Sequence, residues 1–253
     1  MRPTQRQQAR TLVGALAAAA TPEVDQLIQR IEPLRPWADP LLRTTLKGPS
    51  ADPRAVLHAR LALLPVDASQ QAPLCERFQT ETPDVLLVIG EHLQRQSLDP
   101  RLAERFRNDL VDAEAGAGER FRAGVGLICT NAGHSASQHD WESHASLMAN
   151  QLLEHVAGEP NQIGEWTELL RPIREHLIAP LRDAFSDPDR RETERDIAAA
   201  CLRDYVDRTD VLTDLLIDAL PSQHRTLYPL VEQDAEDVVT QLRDEFEAPA
   251  PEF

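Results

Sequence analysis

The sequence contains few aromatic residues and few glycines. Phe, Trp and Tyr make up 4% of the 253 residues and only 10 residues are Gly, whereas apolar residues reach 42%. The apolar content therefore rests on Leu, Ala, Ile and Val, which are typical of packed helices rather than of β-sandwiches. The composition predicts an all-α fold and excludes an intrinsically disordered chain.

Lysine is almost absent, because Lys47 is the only Lys among 26 basic residues. Chemistry that needs an amine nucleophile or a phosphate-binding lysine therefore has one candidate. Lys47 lies beside Gly48 and Pro49 without the GxxxxGK[ST] pattern of a phosphate loop. The sequence disfavours that chemistry.

Cysteine is also scarce. The three cysteines lie far apart without CxxC spacing; they are Cys75, Cys129 and Cys201. An odd number at such spacing fits neither a disulfide framework nor a zinc site. We predict buried free thiols, no metal, no cofactor and a cytoplasmic location.

Positive charge is in deficit, since the net charge is −16 and the pI is about 4.9. A nucleic-acid binder needs a basic surface, and an anionic membrane would repel this chain. No apolar run approaches the roughly 20 residues that a membrane span needs. We therefore expect neither nucleic acid nor membrane as a partner.

The N-terminal segment has two interpretations. Arginines precede an alanine-rich apolar stretch at 12–20, which resembles a secretory signal. Glutamines interrupt the basic region, however, and alanine is only weakly hydrophobic. We favour a helix over 4–20 that buries one stripe, formed by Ala9, Leu12, Leu16 and Ala19.

The clearest internal signal is a repeated apolar ridge with the three- and four-residue spacing of one helix face. The first ridge consists of Val24, Leu27, Ile31, Leu34, Ala38 and Leu42. Adding 139 to each number gives the second ridge, Ile163, Trp166, Leu170, Ile173, Leu177 and Leu181. Identical residues accompany both ridges, namely the pairs Pro33/Pro172, Arg35/Arg174, Arg43/Arg182 and Pro49/Pro188. After a one-residue slip, Ala59 and Val66 match Ala199 and Val206.

Prolines within the ridges predict bends. Pro33 and Pro172 each remove a backbone donor and crowd the preceding turn, so each helix must kink or break there. A turn and a second helix follow each ridge, near 55–64 and 192–205, and a third amphipathic piece follows at 69–78 and 209–220. A kinked first helix followed by a straighter second one is typical of HEAT repeats.

The remaining segments predict a weaker middle copy. Its helices are expected near 84–93, 100–110, 118–129 and 140–156, with an irregular stretch around 130–138 and a last helix near 235–246. The chain would thus hold about three units of roughly 65 to 75 residues, each burying its ridge on its neighbours. We predict one HEAT-like α-solenoid domain over 1–247 and a disordered Pro-rich tail at 248–253.

Candidate chemical sites are weak. His134, His139, His144 and His155 cluster in sequence, but only the last two share a helix face, so we expect solvated histidines, with metal binding as the alternative. The acidic pairs Asp187/Asp189 and Glu192/Glu194 are predicted to cap a helix and to interact favourably with its dipole rather than to act as acid and base. Trp166 is expected in the core and Trp37 at the surface. No nucleophile elbow, Rossmann or kinase motif occurs.

The stretch 84–232 resembles a helical repeat region of large planctomycete proteins. The resemblance rests on Trp166-Thr-Glu-Leu-Leu-Arg-Pro-Ile-Arg, Leu177-Ile-Ala-Pro-Leu-Arg, Glu192-Thr-Glu-Arg and Asp210-Val-Leu-Thr-Asp-Leu-Leu-Ile-Asp-Ala, with Arg60-Leu-Ala-Leu-Leu-Pro-Val-Asp as the start of a similar unit. In that family the region lies between a serine/threonine protein kinase domain and a formylglycine-generating (sulfatase-modifying factor) type domain. These are packing motifs, so the resemblance implies a helical spacer or scaffold and no catalytic residue.

Taken together, these features predict a non-catalytic scaffold that binds a protein partner with a basic surface or a tethered catalytic domain. A regulatory part of a larger kinase or formylglycine-type protein is included in that prediction. The alternative is a metal-dependent enzyme that uses the region from His134 to His155.

Overall fold

The computed structural model describes residues 4–48, 52–130 and 138–206, leaving aside the side chains of residues 22 and 138–140. Within these ranges every regular element is a helix and no strand occurs, so the all-α prediction is confirmed. The predicted helices near 209–220 and 235–246, most of the irregular stretch at 130–138 and the tail at 248–253 lie outside the described residues. Contacts divide the chain into two compact units, Met1–Ser135 (unit 1) and Ala136–Phe253 (unit 2). The single domain over 1–247 remains a prediction.

Unit 1 contains eight α-helices in its described part. They are α1 (Gln5–Ala18), α2 (Val24–Ile31), α3 (Arg35–Lys47), α4 (Pro53–Leu63), α5 (Gln71–Glu76), α6 (Pro83–Gln94), α7 (Pro100–Val111) and α8 (Ala117–Cys129). Helix α1 packs on α2, α3 and α4, while α8 packs on α6 and α7. The predicted helix at 69–78 is instead a short α5 between two 3₁₀ turns, Ala68–Gln70 and Arg77–Gln79.

Unit 2 contains four α-helices in its described part. They are α9 (Gln138–Gly158), α10 (Ile163–Leu170), α11 (Arg174–Ser186) and α12 (Glu192–Tyr205). Helix α9 packs on α11 and α12. It therefore belongs with the second ridge, whereas the sequence had assigned it to a middle copy.

Proline marks several helix starts and both ridge bends. Asp52 and Asp99 cap α4 and α7, because each side chain accepts a hydrogen bond from the second backbone N–H beyond it, at 3.3 and 2.9 Å. Pro33 and Pro172 each lie within a 3₁₀ turn, Glu32–Leu34 and Arg171–Ile173, which interrupts the α-helix as predicted.

Both ridges form core. Eight of their positions, four in each ridge at the same offset, are buried; they are Ile31, Leu34, Ala38, Leu42, Leu170, Ile173, Leu177 and Leu181. The ridges differ at their first turn, where Val24 and Trp166 are buried but Leu27 and Ile163 only half-buried. In α1, Val13 rather than Leu12 completes the buried stripe. Trp37 is half-buried, not exposed.

The helix bounds of unit 2 correspond to those of α1–α4 at a constant offset. Helix α10, the proline turn and α11 begin and end 139 residues after α2, its proline turn and α3, and α12 begins 139 residues after α4. Helix α1 packs on α3 and α4 as α9 packs on α11 and α12. The one-residue slip is visible in burial, since four buried positions of α4 match four of α12 at an offset of 140; they are His58/Ala198, Ala59/Ala199, Leu61/Cys201 and Ala62/Leu202.

Two glycines allow close approach of helices in unit 1. A Cβ at Gly90 of α6 would lie 2.8 Å from the Cβ of Cys129, and one at Gly126 of α8 would lie 2.6 Å from Cε1 of Phe106. Phe106 is buried and meets Phe78 edge to face at a centroid distance of 5.6 Å. The α6–α8 and α7–α8 contacts are therefore possible only because glycine has no side chain at these two positions.

Candidate functional site

The predicted histidine region does not assemble a metal site within the described residues. His134 and the side chain of His139 lie outside the description, while His144 and His155 are both half-buried on α9. The two are eleven positions apart on the helix, or about 16 Å along its axis, whereas ligands of one zinc ion must each lie roughly 2 Å from it. The described part of the chain contains no group of three His, Cys, Asp or Glu residues that could hold a metal.

His155 has a packing role instead of the solvated position expected for it. Its ring stacks on Trp166, with centroids 5.1 Å apart and planes inclined by 25°. Trp166 is buried, as predicted. The contact joins the last turns of α9 to α10, so the prediction of a solvated histidine is wrong at this position.

All three cysteines are buried free thiols, as predicted. Burial raises the pKa of each thiol to about 12. Because the thiolate is the nucleophile and the metal ligand, none of the three is suited to either role at neutral pH.

The acidic residues before α12 behave only partly as predicted. Asp187 accepts a hydrogen bond from the backbone N–H of Asp189 at 2.9 Å, which closes a turn. The N-cap of α12 is Arg191, whose side chain makes no capping bond. The prediction that these acids cap the helix is therefore wrong. Glu192 and Glu194 do lie in the first helical turn, where negative charge is favourable, and Glu194 pairs with Arg190 and Arg191.

Two polar groups that join separate helices lie in the described part of unit 1, and sequence reasoning missed both. The first is His58 of α4, which is 2% exposed; its Nδ1 lies 2.8 Å from the carbonyl oxygen of Leu16 in α1. A carbonyl only accepts, so Nδ1 carries the proton and donates it. Burial lowers the pKa of His58, an effect that the Leu16 carbonyl opposes.

The second group is a cluster of Asp25, His92 and Arg95, which joins α2 to the end of α6. Arg95 donates from Nη1 to Oδ1 and from Nη2 to Oδ2 of Asp25, both at 2.9 Å. Nε2 of the buried His92 lies 2.8 Å from the same Oδ1, a close contact but not a well-directed hydrogen bond. Arg95 holds the pKa of Asp25 below its usual value, while burial lowers the pKa of His92 against the effect of Asp25.

Comparison of the chain with protein-family models, with curated proteins and with solved structures found no match. A functional assignment therefore rests on the chain's own residues.

The described part of unit 1 also carries an open groove of about 630 Å³ between α1 and the bend after α2. Its lining is mixed, formed by Gln5, Gln8, Thr11, Leu12, Arg30, Pro33 and Leu34. Among the helices that the structure describes, none combines the length and the hydrophobicity of a membrane-spanning segment. The described residues thus present packed helices, buried histidines and a shallow groove rather than converging reactive groups.

Proposed function

We propose that the chain is a HEAT-like α-solenoid that serves as a non-catalytic scaffold for a protein partner. The observation that carries the proposal is the constant offset between α2–α3 and α10–α11, with equivalent packing of the helices before and after them. A stack of helical repeats requires blocks of the same helix lengths with corresponding packing partners, and each of these two blocks is also interrupted by a proline turn at the same position. Extended repeat surfaces commonly bind other proteins.

The distribution of charge supports a basic partner that binds unit 2. Residues 1–135 contain 16 acidic and 16 basic side chains, whereas residues 136–253 contain 26 acidic and 10 basic ones. The whole net charge of −16 therefore belongs to unit 2. A partner protein with a basic surface would be attracted electrostatically to unit 2, and its association would weaken as the salt concentration rises.

The proposal is tested by a charge-matched pair of triple variants. After chemical cross-linking in the source cells identifies a partner, its Kd is measured at low and high salt. Neutralising exposed acids of unit 2 (Glu142→Gln, Glu154→Gln, Glu175→Gln) should raise the Kd severalfold and reduce its salt dependence. Neutralising exposed acids of unit 1 (Asp84→Asn, Glu104→Gln, Glu114→Gln) should leave the Kd unchanged.

Equal effects of the two triple variants would contradict a binding surface on unit 2. Absence of any protein partner, together with a measured catalytic turnover, would contradict the scaffold itself. The metal-dependent alternative has no observation in its favour among the described residues, and metal analysis of the purified chain and of the His144→Ala/His155→Ala variant would test it.

We also propose that the scaffold serves a kinase or a formylglycine-type domain, as the resemblance implies. Reading the coding sequence on both sides of this chain tests the proposal directly. If neither domain type is encoded in the same or a neighbouring reading frame, this second proposal is contradicted. The scaffold function would then be tested by the binding experiment alone.

A further inference from the structure

The groove of unit 1 lies on a helix face whose counterpart can be identified in unit 2. At the offset of 140 that relates α4 to α12, each buried position of α1 matches a buried position of α9; the pairs are Ala9/Ala149, Val13/Leu153 and Leu16/Val156. Because α1 and α9 also pack on corresponding helices, the lining of the groove can be compared between the two units position by position.

The counterparts of the groove residues are apolar and buried. Four residues that line the groove are exposed or half-buried, and each matches an apolar residue of unit 2 that is at most 6% exposed. The pairs are Gln5/Ala145, Gln8/Met148, Leu12/Leu152 and, at the offset of 139 that relates α2 to α10, Arg30/Leu169. The same helix face is thus buried in unit 2 and open, with polar side chains, in unit 1.

Charge is distributed unevenly along the chain, and the groove lies in its basic part. Residues 1–48 contain seven basic and four acidic side chains, residues 49–135 nine and twelve, and residues 136–253 ten and 26, for net charges of +3, −3 and −16. Helix α1 contributes two arginines and no acid, and Arg30 is the only charged residue among the described ones that line the groove. This face therefore complements an acidic partner, and unit 2 has that character.

We propose that the acidic unit 2 of a second copy of this chain docks on the groove of unit 1. The inference rests on the proposed function, because it names the basic surface that the acidic unit 2 binds. Helical repeats stack by covering such faces with further helices, and an interface between two different surfaces of the same chain joins copies head to tail. Polar side chains replace the apolar ones at this face, so we expect a reversible association that salt weakens.

The test is sedimentation equilibrium of the full chain at low and high salt. At low salt the average mass should rise above that of the monomer at protein concentrations up to roughly 0.3 mM, a range that reaches weak polar interfaces. High salt should raise the dissociation constant about tenfold. A chain that stays monomeric throughout, or an association that salt leaves unchanged, would overturn the proposal.

A pair of charge reversals locates the interface. Arg30→Glu, in the groove, should raise the dissociation constant about tenfold or more. Arg101→Glu is the matched control, since Arg101 is exposed on α7 of the same unit and does not line the groove. Gln8→Glu keeps the size of an exposed side chain of α1 and should weaken the association severalfold, so the test does not depend on one variant. Equal effects of Arg30→Glu and Arg101→Glu would refute docking on the groove.

A mixing experiment tests the head-to-tail arrangement. The Arg30→Glu chain keeps its acidic unit 2, while the chain with Glu142→Gln, Glu154→Gln and Glu175→Gln keeps its groove. Each variant alone should associate weakly, whereas their mixture should associate more strongly, because one contact in it joins an intact groove to an intact acidic unit. A mixture that behaves as the average of its components would refute the arrangement.

The proposed function can fail separately from this inference. Binding of a cross-linked partner by a chain that remains monomeric would keep the scaffold and exclude a second copy as its partner. Self-association without any other protein partner, together with a measured catalytic turnover, would keep the docking and contradict the scaffold.

Discussion

The contact between Gly126 and Phe106 makes a quantitative prediction for Gly126→Ala. A Cβ at position 126 would lie 2.6, 2.7 and 2.9 Å from Cε1, Cζ and Cδ1 of Phe106. Ordinary carbon contacts begin near 3.5 Å, so the ring would have to withdraw by about 1 Å. Phe106 is 4% exposed and packs edge to face on the fully buried Phe78, which leaves it little space to move. Overpacking of this kind costs about 1–3 kcal/mol.

A second alanine variant isolates that steric cost. Gly14 is exposed on helix α1 of the same unit, and a Cβ there meets nothing within 4 Å. Both substitutions gain about 1 kcal/mol of helix propensity, so Gly14→Ala should stabilise while Gly126→Ala should be neutral or destabilising. The difference in the free energy of unfolding should be about 1–3 kcal/mol.

The assay is urea unfolding followed by far-UV circular dichroism, with hydrogen exchange to assign the transition to unit 1. For an m-value of about 2 kcal/mol/M, the two midpoints should differ by roughly 0.5–1.5 M. In a Phe106→Leu background, which has more space, the cost of Gly126→Ala should shrink. Equal midpoints for Gly14→Ala and Gly126→Ala would show that the close approach is not a constraint.

Three further predictions concern unit stability and reactivity. Asp25→Ala leaves the buried His92 without its carboxylate and should cost about 1–3 kcal/mol of unfolding free energy. Glu91→Ala removes only an exposed carboxylate 3.7 Å from Arg95 and should change the free energy by less than about 0.5 kcal/mol, so similar losses would contradict the assigned contact. Asp52→Ala removes the N-cap of α4 and should lower the thermal midpoint, for a cost of about 1 kcal/mol, while an unchanged midpoint would argue against the cap. Because burial raises the pKa of all three thiols to about 12, a thiol reagent at pH 7.5 should label none rapidly in the folded chain and all three in denaturant; rapid labelling of the folded chain would contradict their burial.

Local features were predictable from the sequence because their causes are local. The bounds of α12 match the predicted helix at 192–205, and Pro33 and Pro172 interrupt their helices where a missing donor requires it. The apolar pattern of the two ridges correctly predicted most of the buried residues in them, since a three- and four-residue spacing places residues on one helix face.

Contacts between distant residues could not be predicted in this way. Asp25 and Arg95 are 70 residues apart, and no periodicity relates an acid on one helix to a cation at the end of another. His92 offered a weak signal, because a histidine on the apolar face of α6 needs a partner when it is buried. Nothing in the spacing of α9 and α10 indicated that His155 would stack on Trp166.

The constant offset between the two blocks has a consequence for length variation among related chains. One residue inserted within 24–47 or 163–186 would rotate every later side chain of that helix by about 100°, which turns core positions towards water. The single slip of the alignment falls after the pair Pro49/Pro188 and before the pair His58/Ala198, outside both blocks. Insertions and deletions in relatives should therefore gather in the connections and in the 64–137 region, while both blocks keep their length.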